Sequence, residues 1–253
     1  MRRGGDFDYD ALGGGYAAIR QPDPRIEALV HAALGDARTV VNVGAGAGSY
    51  EPADRHVIAI EPSATMRAQR RPGRVPAIGA LAEALPLDDD AVDAAMAMMT
   101  VHQWSDLDAG LAELRRVARG PVVVLGGDGD ALPRYWLNDY APELTAAEQR
   151  RYPPVAHIAE RIGARAEVQM LPIPLDCTDG FTEAFYGRPE RLLDPAVRAA
   201  QSSWGFVPDG AEARAVERLA ADLESGRWDA RHGHLRTQPT FQGSVCLIVG
   251  WPA

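Results

Sequence analysis

The sequence contains no lysine: all 26 basic residues among its 253 are arginine. This absence excludes mechanisms that need a lysine amine, such as Schiff-base formation, pyridoxal phosphate anchoring or the phosphate-binding lysine of a P-loop. Arginine together with abundant alanine, glycine and proline is also what a GC-rich genome encodes, so the absence by itself requires no functional cause.

Cysteine, positive charge and long apolar runs are also scarce. Cys177 and Cys246 are far apart and have no metal-ligand spacing, which indicates two buried thiols in a reducing compartment. A net charge of −9 argues against a nucleic-acid partner. No run approaches the roughly 18 apolar residues that span a bilayer, and residues 1–6 lack the apolar stretch of a signal peptide. We therefore expect a cytoplasmic protein without a membrane partner, and the oligomeric state stays open.

Short apolar runs alternate with helical patterns along the first half of the chain. Strands are predicted at 39–43, 56–60, 75–78, 92–98, 122–125, 165–173 and 244–250. Helices are expected after the capping residues Asp23, Ser63 and Ser105. Continuous apolar strands separated by helices predict an α/β fold, with a doubly wound, mostly parallel seven-stranded sheet and a ligand site at the carboxyl ends of the strands. Residues 127–154 and 176–243 are too long for plain loops and are expected to be helical cap insertions.

The most specific feature is a glycine turn directly after the first strand, with Gly44, Ala45, Gly46 and Gly48. Such a turn lets the backbone approach a ligand that a Cβ would exclude. Dinucleotide-binding turns place a small helix-packing residue where this chain has Ser49. The Gly-x-Gly-x-Gly spacing instead resembles motif I of class I S-adenosylmethionine-dependent methyltransferases. A purely structural tight turn is the alternative.

A carboxylate ends the second strand, seventeen residues after Gly44. Glu61 there is suited to accept hydrogen bonds from both ribose hydroxyls of an adenosine group, and the alternative is an acid stabilised at a helix N-terminus. Residues 61–66 look like the corresponding methyltransferase segment. That resemblance implies that Pro62 borders the cofactor and that Met66 lies against the adenine, with core packing as the alternative for Met66.

Two further segments are similar to methyltransferase motifs. Residues 82–87 resemble the adenine-edge segment and imply contacts from Ala82 and Glu83, although the family's aspartate is Leu81 here. Residues 98–104 resemble the segment that borders the methyl group. In that resemblance Met98, Met99 and Thr100 line the methionine side, and His102 and Trp104 face the acceptor. The acidic residue common two places before the first glycine is Asn42 in this chain.

His102 is the candidate general base, because a histidine titrates near neutral pH. The alternative is a hydrogen-bonded histidine at a helix entrance. Methyl transfer from a sulfonium needs alignment more than a base, so the loss of His102 is expected to cost little activity.

The resemblance also covers the beginning of the chain, where residues 1–22 would form a lid. Tyr16 and Arg20 match positions common in the family, and Arg20 would clamp the cofactor carboxylate; an ordinary surface arginine is the alternative. In the cap, Tyr135, Trp136 and Tyr140 suggest an apolar or planar acceptor, with packing of the cap as the alternative. His232 and His234 lack further ligands, so no metal site is expected.

The sequence is thus interpreted as a single domain, 1–253, with a cofactor-binding core at 36–126. The resemblance is to small-molecule methyltransferases like those of ubiquinone biosynthesis, trans-aconitate methylation and the biotin pathway. It implies transfer of a methyl group from S-adenosyl-L-methionine to a small-molecule acceptor, with S-adenosyl-L-homocysteine as product and a role in secondary metabolism. The alternatives are a cofactor-assisted cyclase or isomerase on the same fold and an NAD-dependent oxidoreductase.

Overall fold

The computed structural model describes residues 5–252, and these form one seven-stranded sheet in the order β3-β2-β1-β4-β5-β7-β6. The strands are β1 (Thr39–Val43), β2 (His56–Ile60), β3 (Ala77–Ile78), β4 (Ala94–Met98), β5 (Val122–Gly127), β6 (Arg165–Pro174) and β7 (Thr240–Trp251). Neighbours from β3 to β5 pair in parallel, whereas β7 runs antiparallel to both β5 and β6. The predicted doubly wound, mostly parallel sheet is therefore confirmed.

Several strand boundaries differ from the prediction; β5 to β7 each end one or two residues later than expected. β3 is only two residues long instead of four, and β4 begins at Ala94 because Val92 makes an isolated bridge to Ala118 instead. β7 begins at Thr240, four residues earlier than expected, since its first residues pair with the end of β6. The second cap insertion accordingly ends at residue 239.

Ten α-helices are found in the described part of the chain. They are α1 (Tyr9–Leu12), α2 (Tyr16–Ile19), α3 (Pro24–Ala33), α4 (Ala64–Ala68), α5 (Leu107–Val117), α6 (Pro142–Arg151), α7 (Val155–Ile162), α8 (Pro195–Ala199), α9 (Ala211–Glu224) and α10 (Arg227–His232). Asp23 and Ser63 cap α3 and α4 as predicted. The cap of α5 is Asp106, not Ser105, because the Asp106 carboxylate accepts from the Ala109 N–H at 3.0 Å.

The alternation of side chains along the strands divides the core between the two faces of the sheet. Val40, Met96 and Val123 point to one face, which packs against α3 and the cap. Val41, Ala95 and Val124 point to the other face, which α5 and α7 cover. Both cysteines are buried and free, as predicted.

The order of the strands reverses between β1 and β4, so their carboxyl ends lie side by side with helices leaving to opposite faces. Residues 5–22, which we call the N-terminal strap, cross this edge; residues 1–4 of the expected lid lie outside the described part. The insertion at 127–154 contains α6 and two 3-10 helices, and residues 176–239 contain α8 to α10. Among residues 5–252, none of the helices combines the length and hydrophobicity that a membrane crossing needs.

Candidate active site

The glycine turn lies at the carboxyl end of β1, and its three glycines have positive φ angles: 70° at Gly44, 49° at Gly46 and 90° at Gly48. At Gly44 a steric requirement is added, because a Cβ there would lie 2.2 Å from Oγ1 of Thr100. The N–H of Gly44 donates to the carbonyl of Ile60 at 2.9 Å, which fastens the turn to the end of β2. The bare backbone of the turn therefore passes directly against the end of β4.

Glu61 is buried beside this turn, with 7% of its surface exposed. Its Oε2 accepts from the Gly46 N–H and its Oε1 from the Ser63 N–H, both at 2.8 Å. Burial raises the pKa of Glu61 above its ordinary value, and the two backbone hydrogen bonds oppose that rise. Each carboxylate oxygen can accept further hydrogen bonds, so the fixed Glu61 carboxylate is suited to bind a pair of hydroxyls.

A cavity of about 480 Å³, here called the main cavity, opens above the turn and is partly covered by the strap. Its volume lies in the range of pockets that bind small molecules. The cavity wall contains most of the residues predicted to hold the cofactor: Tyr16, Gly44, Ala45, Gly46, Glu61, Pro62, Met66, Ala82, Glu83, Met98, Met99 and Thr100. Trp104 lines this cavity as well, which differs from its predicted place facing the acceptor. Gly48 shapes the turn behind this wall.

Asn42 belongs to a buried polar network that the sequence did not predict. Its Nδ2 donates to Oε1 of Glu51 at 3.0 Å, and Arg70 donates to both oxygens of Glu51. The side chains of Glu51 and Arg70 are only 1% and 5% exposed. Arg70 is therefore a buried partner of Glu51 and not a solvated surface arginine. The donor role of Nδ2 fixes the amide orientation and leaves Oδ1 of Asn42, on the wall of the main cavity, buried without a hydrogen-bond partner among the described residues.

Glu83 has a structural partner that weakens its predicted role at the adenine edge. Its Oε1 accepts from the N–H and the hydroxyl of Ser105 and from the N–H of Asp106, at 2.8 to 3.1 Å. This carboxylate oxygen therefore holds the turn before α5, and the wall at Leu81 and Ala82 is left to backbone and apolar contacts.

The strap is attached over the main cavity by hydrogen bonds that no sequence motif indicated. Oδ1 of Asp10 accepts from the Ser63 hydroxyl at 2.6 Å and from the Thr65 N–H at 3.1 Å. On the other side of the cavity, Gln103 donates to the Tyr9 hydroxyl at 2.9 Å. A ligand of the main cavity would thus be covered by a segment held at both edges.

Arg20 does not line the main cavity, and this corrects its prediction as a clamp for the cofactor carboxylate. Its Nε donates to Oδ1 of Asp179 at 2.6 Å. Asp179, 2% exposed, also accepts from the Tyr50 hydroxyl at 2.8 Å. Because the guanidinium neutralises this buried carboxylate, it is committed to joining the strap to the cap.

His102 lines a second, smaller cavity of about 50 Å³, which we call the inner chamber. Burial, together with the charges of Arg151 and Arg20, lowers the pKa of His102 to about 3. A neutral imidazole with so low a pKa is a weak base at neutral pH. The geometry favours the alternative of a hydrogen-bonded histidine over a general base, since Nε2 of His102 accepts from Nε2 of Gln103 at 3.3 Å. Met99 and Gln103 line the inner chamber beside it.

The cap aromatics predicted to contact the acceptor belong to the core instead. Tyr135, Trp136 and Tyr140 are 3 to 5% exposed and line neither the main cavity nor the inner chamber. Their polar atoms bond to the protein: the Tyr135 hydroxyl to the Thr182 carbonyl, the Trp136 Nε1 to the Tyr186 carbonyl and the Tyr140 hydroxyl to Asp222. Periodicity along one segment could not reveal these partners, which lie 47 to 82 residues away.

Histidine and acidic residues are dispersed in the described structure. Within residues 5–252, no three His, Cys, Asp or Glu side chains are placed to hold a metal ion. His232 packs against Trp136 and Trp228 and lies 3.4 Å from Asp139.

Comparison with known proteins places this geometry in a family. A family model described as a methyltransferase domain matches residues 41–124. A putative methyltransferase from an antibiotic biosynthesis pathway of Anabaena variabilis is 30% identical, with a TM-score of 0.84 over 92% of this chain and 98% of that one. The comparison with curated proteins gave no match.

Two more distant structures share the fold alone. Geranyl diphosphate C-methyltransferase of Streptomyces coelicolor, in complex with Mg²⁺, geranyl-S-thiolodiphosphate and S-adenosyl-L-homocysteine, is 16% identical with a TM-score of 0.51, over 90% of this chain and 75% of that one. The [4+2]-cyclase SpnF is 18% identical with a TM-score of 0.52, over 97% and 94%.

The glycine turn, the acid at the end of β2 and the strand order agree with the similarity found over almost the whole chain. The oxidoreductase alternative is therefore wrong. This chain belongs to the class I S-adenosylmethionine-dependent methyltransferases.

Proposed function

We propose that this protein transfers the methyl group of S-adenosylmethionine to a small-molecule acceptor, with the main cavity as donor site and the inner chamber as the place of the acceptor's reacting group. This assignment rests on one observation, which is that the two cavities meet at a junction with shared lining residues. Tyr9, Tyr16, Met99 and Gln103 line both of them. A methyl group held at that junction would face the chamber.

The residues of the main cavity fit the donor in three places. The fixed carboxylate of Glu61 is suited to the two ribose hydroxyls. The backbone of Gly44, which packs directly against Thr100, borders the space for the methionine portion, and the unpartnered Oδ1 of Asn42 is an acceptor for its ammonium group. Met66 and Leu81 contribute apolar surface for the adenine.

When bound, S-adenosylmethionine supplies a methyl group on a positively charged sulfur. The chain's own contribution is alignment and the exclusion of water, because the displacement requires the nucleophile to approach opposite the leaving sulfur. The strap covers the main cavity, and Met99 holds the junction with a φ of 54°, an uncommon value for a residue with a side chain. Such conformations are often found where a residue borders a reacting group.

A role in secondary metabolism, in the cytoplasm, extends the proposal. Its support is the Anabaena variabilis relative, which is described as part of an antibiotic biosynthesis pathway. The inner chamber is too small for a macromolecular residue with its flanking chain and suits one functional group of a small molecule.

The proposal is tested with methyl-labelled S-adenosylmethionine and a panel of small phenols, alcohols and amines. We expect labelled product and S-adenosylhomocysteine in equal amounts, and neither with the Glu61→Gln variant. A panel compound that is cyclised or isomerised while S-adenosylmethionine remains intact would contradict methyl transfer and identify the alternative activity on this fold.

A further inference from the structure

The inner chamber contains polar groups that binding a methyl donor does not require. Its wall is formed by the N-terminal strap, the ends of β4 and β5, β7, α6 and two 3-10 helices of the cap, Thr182–Phe185 and Ser202–Phe206. Glu148, Glu183 and Gln201 all line it and are 3 to 6% exposed. Side chains of this kind are rarely buried so completely unless they are paired. Each of them is therefore expected to bind either a protein group or a ligand.

Glu183 has its partners within the protein. The Ser244 N–H donates to both of its oxygens, at 3.0 and 2.9 Å, and the Ser244 hydroxyl donates to Oε2 at 2.6 Å. These bonds fasten the cap to β7, and a backbone donor cannot turn away to admit a ligand. Glu183 is therefore a structural carboxylate.

Glu148 is held differently. The hydroxyls of Ser203 and Thr182 lie near it and can rotate. In the structure the Thr182 hydroxyl donates to Oε1 of Gln201 at 3.2 Å, and the Ser203 hydroxyl accepts from Arg151 at 3.1 Å. Glu148 lies in the last turn of α6, three residues before Arg151. The guanidinium of Arg151 is paired with Asp6 of the strap. The Glu148 carboxylate can thus accept a hydrogen bond from a ligand hydroxyl or amine without breaking a backbone hydrogen bond.

The burial of Glu148 favours a proton on it near neutral pH. Burial raises its pKa to about 7; the Glu183 carboxylate adds to the rise, and the Ser203 hydroxyl and Arg151 oppose it. The phenols of Tyr135 and Tyr152 also face this carboxyl and stay neutral, because burial raises their own pKa values far above 10. A group with a pKa near the working pH is the most effective proton acceptor in general base catalysis.

We propose that the nucleophilic hydroxyl or amine of the acceptor enters the inner chamber and that Glu148 takes up its proton. The inference rests on the proposed function. An amine that binds in its protonated form first gives a proton to Glu148, because only then does its nitrogen carry a lone pair. In the transfer, a lone pair of the acceptor oxygen or neutral nitrogen forms the bond to the methyl carbon. The carbon–sulfur bond breaks with its electron pair on sulfur, which becomes the neutral thioether, and the proton of an acceptor hydroxyl passes to a carboxylate oxygen of Glu148.

The same residues determine the class of acceptor. The chamber wall also contains the guanidinium of Arg20, but that charge is paired with Asp179. The two buried carboxyl groups of Glu148 and Glu183 therefore disfavour a carboxylate or phosphate, whereas a neutral hydroxyl or a protonated amine finds acceptors there. The acceptor group is therefore polar and uncharged or cationic. This differs from the apolar or planar acceptor that the cap aromatics suggested.

The test measures binding of three probes of similar shape to protein saturated with S-adenosylhomocysteine: benzyl alcohol, benzylamine and benzoate, followed by ligand-observed NMR at pH 6 to 8.5. We expect the alcohol and the amine to bind at least about tenfold more tightly than benzoate. The preference for the amine over benzoate should increase with pH as Glu148 ionises. The neutral Glu148→Gln variant should reduce the preference severalfold and remove its pH dependence.

Glu143→Gln is the matched control, because Glu143 lies on the same helix but lines neither cavity, and it should keep the wild-type preference. Benzoate binding as tightly as benzylamine, no binding by any of the probes, or an unchanged preference in Glu148→Gln would each overturn the inference. The affinity for S-adenosylhomocysteine, measured in the same samples, separates these outcomes from a failure of the proposed function. The wild-type pH series decides the question even where the variant does not fold.

Discussion

Replacing Gly44 with alanine tests the steric argument for the glycine turn. The substitution has two costs. A side chain at a φ of 70° costs about 1 to 2 kcal/mol. The new methyl group would also lie 2.2, 2.7 and 2.8 Å from Oγ1, Cγ2 and Cβ of Thr100, and overpacking of this kind adds about 1 to 3 kcal/mol. We therefore expect Gly44→Ala to lower the free energy of unfolding by about 2 to 5 kcal/mol.

The chain offers a matched control for the first of these costs. Gly35 has a φ of 56°, and a Cβ there would meet no atom within 4 Å, so Gly35→Ala should lose only about 1 to 2 kcal/mol. Urea unfolding of both variants measures the difference. Adding Thr100→Gly removes all three clashing atoms, so the stability that Gly44→Ala loses to the clash should be regained. The double-mutant cycle would then show a favourable coupling between the two substitutions. Equal destabilisation by Gly44→Ala and Gly35→Ala would refute the argument.

Three further outcomes are expected. Asp10→Asn should speed the release of S-adenosylhomocysteine, measured by stopped flow, by about threefold to tenfold, because it weakens the attachment of the strap to Ser63; an unchanged rate would show that the strap does not cover the ligand. Arg20→Met should cost about 3 to 5 kcal/mol of stability by leaving Asp179 unpaired in the interior, and the donor affinity of the folded protein should change little. A loss of donor affinity at unchanged stability would instead support Arg20 as the clamp of the cofactor carboxylate. His102 has a pKa lowered from its ordinary 6.5 to about 3, so the native state binds fewer protons than the unfolded state between these values and stability falls as the pH falls through them. His102→Gln should flatten that loss in urea unfolding, and an identical pH dependence in the variant would contradict the burial of a neutral imidazole.

The donor half of the site could be predicted because its determinants are local in sequence. The positive φ angles of the turn require glycines at fixed spacing after β1, and Glu61 must follow β2 directly to reach Gly46. Both are properties of single strand–turn units, which a sequence displays. The parallel part of the sheet could be predicted for the same reason, since strand and helix patterns alternate along the first half of the chain.

In both halves of the site the prediction failed where the role of a residue depends on contacts between distant segments. Arg20 is paired with Asp179, 159 residues away, and its position in the strap gave no sign of this partner. Glu51 is buried against Asn42, although it follows the turn as an ordinary polar residue would. Glu148 belongs to a helix of the cap whose composition is that of a surface helix, and only the fold shows that one of its carboxyl groups faces the inner chamber.

The central claim is that the main cavity holds S-adenosylmethionine through Glu61. Calorimetric titration tests it most directly, with the wild type, with Glu61→Gln and with NADH as the ligand control. A glutamine cannot accept from both Gly46 and Ser63, nor present a charged acceptor to two hydroxyls. The account predicts that the wild type binds S-adenosylmethionine and not NADH, and that Glu61→Gln, still folded by circular dichroism, binds S-adenosylmethionine about a hundredfold more weakly or worse. Equal affinity of the folded variant and the wild type would contradict it.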